Sequence, residues 1–275
     1  MKTRCTPQYI MVFDTETTGL PVRPIQPTVN KTPIKNELKS LVDFKTPEKY
    51  PIDYPEIQSI DNQPYMTQLS FIILDQKHNI IFHYNEYLKI PDSVEISPFI
   101  TQLTGITKEI SNNGVQPCEA LKTFVSWFFK CERIVAHNIQ FDRTIIRIEI
   151  ARHYSELVDE YPYVNIVFSN NYDRVSQLDH FDTMIRGNKI CGIMIPKKTG
   201  EGTKLKPPKL SEMYKIFFHK NPENLHNSMV DVLITTRCYL KLLSEHRDVD
   251  DGYFESLVEK AIHNSDINGQ LIEFV

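Results

Sequence analysis

No run of apolar residues in this chain approaches the roughly 20 that a membrane-spanning helix needs, so no membrane partner is expected. The charged start, Met1-Lys2-Thr3-Arg4, is not followed by an apolar stretch, and no secretory signal is expected from it. Cysteine is sparse and unpatterned. Cys5, Cys118, Cys131, Cys191 and Cys238 are odd in number and scattered, and no Cys-x-x-Cys occurs. That argues against a zinc ribbon and for reduced thiols in an intracellular compartment, cytoplasm or nucleus. A strong excess of one charge is also missing. The net charge of −4 is too mild for bulk electrostatics to draw in a polyanion. Such a partner would have to be met by a local patch or by bound metal, and tight processive binding is not expected. There is no internal repeat and no low-complexity segment.

What the chain does have is a core. At 275 residues and 41% apolar it is long and apolar enough for one large globular domain. Eight of its 17 prolines fall between positions 21 and 64. Proline removes backbone donors and blocks helix and central strand, so residues 21–64 read as an irregular insertion. Residues 66–74 and 80–90 read as a β-hairpin, and residues 99–107 as a loop with a glycine turn at Gly105. Leu121, Phe124, Val125 and Phe128 recur at helical spacing and predict an amphipathic helix over 119–129. Residues 133–136 form a buried-strand pattern, followed by a long helix over 141–157. A last strand is expected over 181–185, a basic loop with five lysines over 197–209, helices over 210–218 and 253–263, and a loop turning into a helix over 226–243. Asn227 or Ser228 is the candidate N-cap of the helix within 226–243. Strands alternating with helices around one early hairpin predict a mixed α/β sheet. The domain is expected over 1–247, with a C-terminal helix and tail over 248–275.

The stretch Phe13-Asp14-Thr15-Glu16-Thr17-Thr18-Gly19-Leu20-Pro21 carries the first chemistry. It continues an apolar strand pattern at Tyr9-Ile10-Met11-Val12. Residues two apart on a strand point the same way, so Asp14 and Glu16 stand side by side. Two carboxylates this close repel unless something positive lies between them. No lysine or arginine lies within the stretch, and a divalent cation is the economical answer. Asp142 follows His137 and Asn138 at a strand-to-helix junction, where it either serves this chemistry or complements the positive helix end. His226 and Asp231 are five residues apart. On one helix they would subtend about 140°. If they meet at one site, His226 must come from the loop before the helix.

Taken in order, Asp14-x-Glu16, His137-Asn138-x-x-Phe141-Asp142 and His226-x-x-x-x-Asp231 resemble the three motifs of the DEDDh (DnaQ-like) 3′–5′ exonucleases. That group includes proofreading subunits, ribonuclease T and three-prime repair exonucleases. The Leu103-Thr104-Gly105-Ile106-Thr107 and Phe181-Asp182-Thr183-Met184 segments are similar to stretches common there. The resemblance spans residues 9–243 apart from the insertion. It implies a ribonuclease H-like fold, a mixed five-stranded sheet flanked by helices. It implies two Mg²⁺ or Mn²⁺ ions, with Asp14, Glu16 and Asp231 holding the first, Asp14 bridging to the second and Asp142 supporting that one. His226 would be the general base. Thr17, Thr18, Gly19, Leu20 and Asn138 would meet the substrate. The implied partner is a single-stranded or frayed nucleic-acid 3′ end, within a DNA polymerase or repair complex. The expected activity is 3′–5′ exonuclease, DNA favoured over RNA. Two other readings stay open: an RNA exonuclease of the same family, and a catalytically silent module of this fold that binds a partner. Retention of all five catalytic groups argues against the second.

Overall fold

A computed structural model of the chain describes residues 9–22, 60–198, 200–222, 225–244 and 252–263. Most of the proline-rich insertion expected over 21–64, the boundary expected at 247 and the tail beyond 263 lie outside these residues. Strands β1 (Tyr9–Thr17), β2 (Met66–Leu74) and β3 (Ile80–Tyr87) come first. Helices α1 (Pro98–Thr104), α2 (Lys108–Asn112) and α3 (Pro117–Phe128) follow, then strand β4 (Cys131–Ala136). Next are helices α4 (Ile139–Arg152), α5 (Tyr154–Leu157) and α6 (Asn170–Ser176), and strand β5 (Asp179–Asp182). Helix α7 (Thr183–Cys191) leads into a small hairpin, β6 (Met194–Pro196) and β7 (Thr203–Leu205). Helices α8 (Leu210–Phe218), α9 (Ser228–Leu243) and α10 (Gly252–His263) complete the described chain.

The main sheet has five strands in the order β3-β2-β1-β4-β5. β1 pairs antiparallel with β2 and parallel with β4, so the sheet is mixed, as expected. β1 is its central strand and is covered on both faces, which explains its unbroken apolar run. Met11 and Phe13 face one core, with Phe71, Phe124 and Phe168, under α3 and α4. Ile10 and Val12 face the other, with Val135 and Phe181, under α8, α9 and α10. Phe254, Leu257 and Val258 place α10 in that second core. None of the described helices is long and apolar enough to cross a membrane.

Three segments differ from the sequence expectation. Residues 99–107 are not a loop: α1 occupies most of them. Ser97 accepts a hydrogen bond from Ile100 N–H, Pro98 opens the helix, and Gly105 closes it at φ 74°. These are the ordinary start and stop signals of a helix. The long helix over 141–157 begins earlier, at Ile139, and breaks at His153, where φ −105° and ψ 18° leave helical geometry. The strand expected over 181–185 runs Asp179–Asp182, and it is not the last, since β6 and β7 follow it. The Asp182 carboxylate accepts from the N–H groups of Met184 and Ile185 and so caps α7. The same carboxylate accepts from Asn138 and Ile139, tying the ends of β4 and β5 together.

The return of the insertion is fixed to α4. The Arg152 guanidinium donates to the carbonyls of Ile60, Gln63 and Pro64, pairs with Glu149 at 2.6 Å, and lies 3.8 Å over the Tyr65 ring.

Candidate active site

β1 and β4 run parallel, so their C-terminal ends finish at the same edge of the sheet. In such sheets that edge is where loops gather functional groups. Asp14 and Glu16 lie there, in phase with Ile10 and Val12 and therefore on the α9 side. The first turn of α9 carries Asp231, and Asn227 caps it by accepting from Met229 and Val230 N–H. Ser228 pins this turn to the sheet. Its hydroxyl donates to the Asp14 main-chain carbonyl at 2.7 Å, and its N–H to Gln68 Oε1 at 3.3 Å.

Asp142 arrives from the opposite layer, in the first turn of α4. Thr15 alternates with Asp14 and Glu16 and so faces that layer. Its N–H and its hydroxyl both donate to Asp142 Oδ1, at 3.0 and 2.8 Å. One strand therefore presents two carboxylates on one face and holds a third from the other.

His226 comes from the loop before α9, as the spacing required. Its φ of 71° is left-handed, and its N–H donates to Asp231 Oδ2 at 3.2 Å. Ligand atoms of Glu16, His226 and Asp231 all lie within 4.8 Å of one another. Glu16 and Asp231 are buried, and His226 is exposed. Asp231 Oδ1 is buried without any hydrogen-bond partner. Among the described residues, no lysine or arginine forms an ion pair with any of the four carboxylates.

The electrostatics follow from that crowding. Burial, then Asp142, Asp231 and Glu16 in turn, push the Asp14 carboxyl well above the usual carboxylate range. Burial, then Asp231 and Asp142, do the same to Glu16. Burial raises Asp142 to about 7 against the opposing Thr15 hydrogen bonds, and Asp231 to about 7 against its bond from His226. Protons relieve this repulsion at low pH, and a divalent cation would relieve it at neutral pH. The four carboxylates, hard oxygen donors with Asp231 Oδ1 left unpartnered, fit Mg²⁺ or Mn²⁺, with a His226 nitrogen within reach of Glu16 and Asp231. His226 moves the other way: partial desolvation of its exposed ring by neighbouring residues, then the positive charge of Lys209, depress its pKa.

The other predicted residues form the surroundings. Thr17 donates its hydroxyl to the Gly19 carbonyl at 2.6 Å, and Thr18 exchanges two hydrogen bonds with the Tyr65 main chain. Leu20 emerges from this turn 80% exposed. Asn138 sits at the β4–α4 junction in left-handed geometry, its N–H held by Asp182. His137 is a tie rather than a reactive group. Its Nε2 lies 3.1 Å from the Pro208 carbonyl, which can only accept, so Nε2 carries the proton; Nδ1 faces the Thr183 hydroxyl at 2.9 Å. Thr15 was not foreseen, and Lys209 was expected only as part of the basic segment over 197–209. Thr15 gives no local signal, because its partner is 127 residues away.

A profile of the exonuclease family of ribonuclease T type matches residues 11–239. The chain belongs to this family. No curated protein sequence matches this exonuclease. Among solved structures it is similar to E. coli exonuclease I in complex with a dT13 oligonucleotide. The TM-score is 0.54 at 16% identity, over 91% of this chain and 43% of that one. The same enzyme's complex with dA16 gives 0.53 at 17% identity, over 92% and 43%. A zinc-bound form of its complex with single-stranded DNA gives 0.53 at 18% identity, over 92% and 43%. The exonuclease described here thus spans less than half the length of these neighbours. At such identities the likeness establishes the fold, which is ribonuclease H-like.

Proposed function

We propose that this exonuclease removes nucleotides one at a time from 3′ ends, DNA in preference to RNA, and releases nucleoside 5′-monophosphates. The observation that carries the proposal is the convergence of Asp14, Glu16, Asp142 and Asp231 beside His226, with no lysine or arginine among the described residues ion-paired to any of the four carboxylates. Asp14, Glu16 and Asp231 would hold one Mg²⁺ or Mn²⁺, and Asp14 with Asp142 a second. Bound there, the ions supply charge neutralisation for the attacking and leaving oxygens of a phosphodiester.

The chain's own groups do the rest. His226, depressed below its ordinary 6.5, is neutral at neutral pH. One of its ring nitrogens accepts a proton from the attacking water as the water oxygen bonds to phosphorus. The phosphorus–O3′ bond breaks, the departing O3′ oxygen takes a proton from solvent, and the shortened strand leaves with a new 3′-hydroxyl while the terminal nucleotide leaves as its 5′-monophosphate. Thr15 holds Asp142 in place, and Ser228 fixes α9 against Asp14. The exposed Leu20 offers an apolar surface on which a terminal base can stack, a contact of about 1–3 kcal/mol that tolerates any base. An internal phosphodiester would have to drive its downstream strand through the space Leu20 occupies. The DNA oligonucleotides bound by exonuclease I support the preference for DNA, and its zinc-bound form supports a metal-dependent reaction.

The test uses 5′-labelled single-stranded DNA, duplex DNA and RNA of one sequence, with Mg²⁺, Mn²⁺ or EDTA, and Asp14→Asn in parallel. The expected result is a ladder of strands shortened by single nucleotides and release of 5′-monophosphates, fastest on single-stranded DNA and abolished by EDTA or Asp14→Asn. Full activity in EDTA or of Asp14→Asn would overturn the metal site, and internal cuts would overturn the exonuclease direction.

A further inference from the structure

The basic segment over 197–209 holds Lys197, Lys198, Lys204, Lys206 and Lys209 against a single acid, Glu201, a net +4 in a chain whose net charge is −4. It is not a slack loop. β6 and β7 pair antiparallel, with Met194 opposite Leu205 and Ile195 opposite Lys204. The tip is closed by Lys197 N–H to the Gly202 carbonyl at 3.0 Å, with Gly200 and Gly202 at φ 82° and 73°. The root is fixed too. Lys206 pairs with Glu212 at 2.7 Å, Glu212 accepts from Lys209 N–H at 2.8 Å, and the Pro208 carbonyl meets His137. The Pro208 carbonyl lies 3.1 Å from His137 Nε2, at the β4–α4 junction that carries Asn138 and Asp142, so the root adjoins the candidate site.

The tip is different. Lys197, Lys198 and Lys204 are exposed and, among the described residues, form no ion pair. Met194 and Leu205 are exposed beside them, 53% and 39%. A two-stranded hairpin open on both faces gains little from burial, so core packing does not account for this sequence. A rigid root, a free cationic tip and an apolar rung between them fit one partner, a polyanion with flat apolar groups.

We infer that this hairpin is an arm that binds the phosphates of the substrate strand on the 5′ side of the terminal nucleotide. The inference rests on the proposed exonuclease reading for the position of that nucleotide. From Lys209 to Thr203 six residues reach at most about 20 Å, which carries the lysines of the tip several nucleotides up the strand. The arm therefore acts on long strands and not on a trinucleotide. For single strands each neutralised phosphate contributes about 0.7 to the slope of log K against log salt. Three lysines contribute about 2, which at 0.1 M salt is up to about 100-fold in affinity.

The experiment measures fluorescence anisotropy of a 5′-labelled 20-nucleotide thymidine strand in EDTA across a salt series. It compares the wild type with a Lys197→Gln/Lys198→Gln/Lys204→Gln variant and the matching triple arginine variant. The glutamine variant is expected to bind up to about 100-fold more weakly, with a slope lower by about 2, while it still hydrolyses a trinucleotide at the wild-type rate. The arginine variant is expected to bind like wild type. Unchanged binding and slope in the glutamine variant would overturn the arm, as would equal weakening by arginine. A wild type that binds the strand with this salt dependence yet never shortens it would sink the exonuclease reading instead.

Discussion

Replacing Thr15 with valine removes one hydroxyl from the interior and nothing else. That hydroxyl donates to Asp142 Oδ1 at 2.8 Å, beside the Thr15 N–H at 3.0 Å. Thr15 is 4% exposed, so water does not replace the lost donor readily. A hydrogen bond to an ionised group is worth about 1.5–3 kcal/mol, and one to a neutral group about 0.5–1.5 kcal/mol. The variant should therefore lose more stability where Asp142 is ionised than where it is protonated. Asp142 titrates at about 7 when folded and at 3.8 in its ordinary state. The folded state binds its proton more tightly, so stability is fully present below pH 3.8 and falls as pH rises through about 7. Thr15→Val should extend that decline to higher pH. Urea unfolding in EDTA, from pH 5 to pH 8.5, reads this directly. The loss should be larger at the alkaline end. With Mg²⁺ present, the rate should drop about 10–100-fold, as for other groups that orient metal ligands. A Thr15→Val protein with wild-type rate and an unchanged pH profile would refute the assignment of Thr15 as the group that holds Asp142.

Asp14→Asn and Asp231→Asn should nearly abolish turnover, yet raise the metal-free melting temperature, most of all above pH 7, where the wild-type carboxylates are forced to ionise; a lower melting temperature at that pH would contradict the repulsion argument. His226→Ala should cost about 10²–10⁴ in rate, the usual worth of a general base, and leave metal affinity little changed. The wild-type rate should fall on the acid side with a midpoint below 6.5, as His226 gains a proton, and His226→Ala should lack that limb; a variant that chiefly loses metal affinity would make His226 a ligand. Leu20→Ala should weaken binding of a linear strand about 10–100-fold, the loss of one stacked base, and circular single-stranded DNA should stay intact with either protein; cutting of the circle at the linear rate would disprove recognition of the end.

The sequence was most legible where local rules and tertiary needs agree. The strand pattern from Tyr9 placed Asp14 and Glu16 on one face, and five-residue spacing required His226 to lie in the loop before α9 if it shared a site with Asp231. α8 matches its expected bounds, because its apolar residues and its flanks all point to helix. The misreadings have physical causes. α1 was hidden because Ile100, Thr101 and Thr104 are β-branched and lower helix propensity, although Ser97, Pro98 and Gly105 supplied its start and stop. Asp182 is a strand residue, as expected, but its carboxylate also serves four N–H groups from two chain segments, a role visible only once β4 and β5 lie side by side. The break at His153 has no glycine or proline to announce it. The Thr15–Asp142 pair joins opposite faces of the sheet, and only the fold brings it together.

Binding of Mn²⁺ by the carboxylates at the end of β1 is the claim on which the rest stands. Calorimetric titration of Mn²⁺ into the metal-free protein at neutral pH, with Asp231→Asn and Asp14→Asn alongside, tests it most directly. The wild type should bind and release protons as it does so, because Asp142 and Asp231 sit at about 7 and must ionise. At about 100 times Kd the ion should add about 2.7 kcal/mol of stability. Both asparagine variants should bind far more weakly. No heat of binding in the wild type, or equal binding in wild type and both variants, would contradict the account.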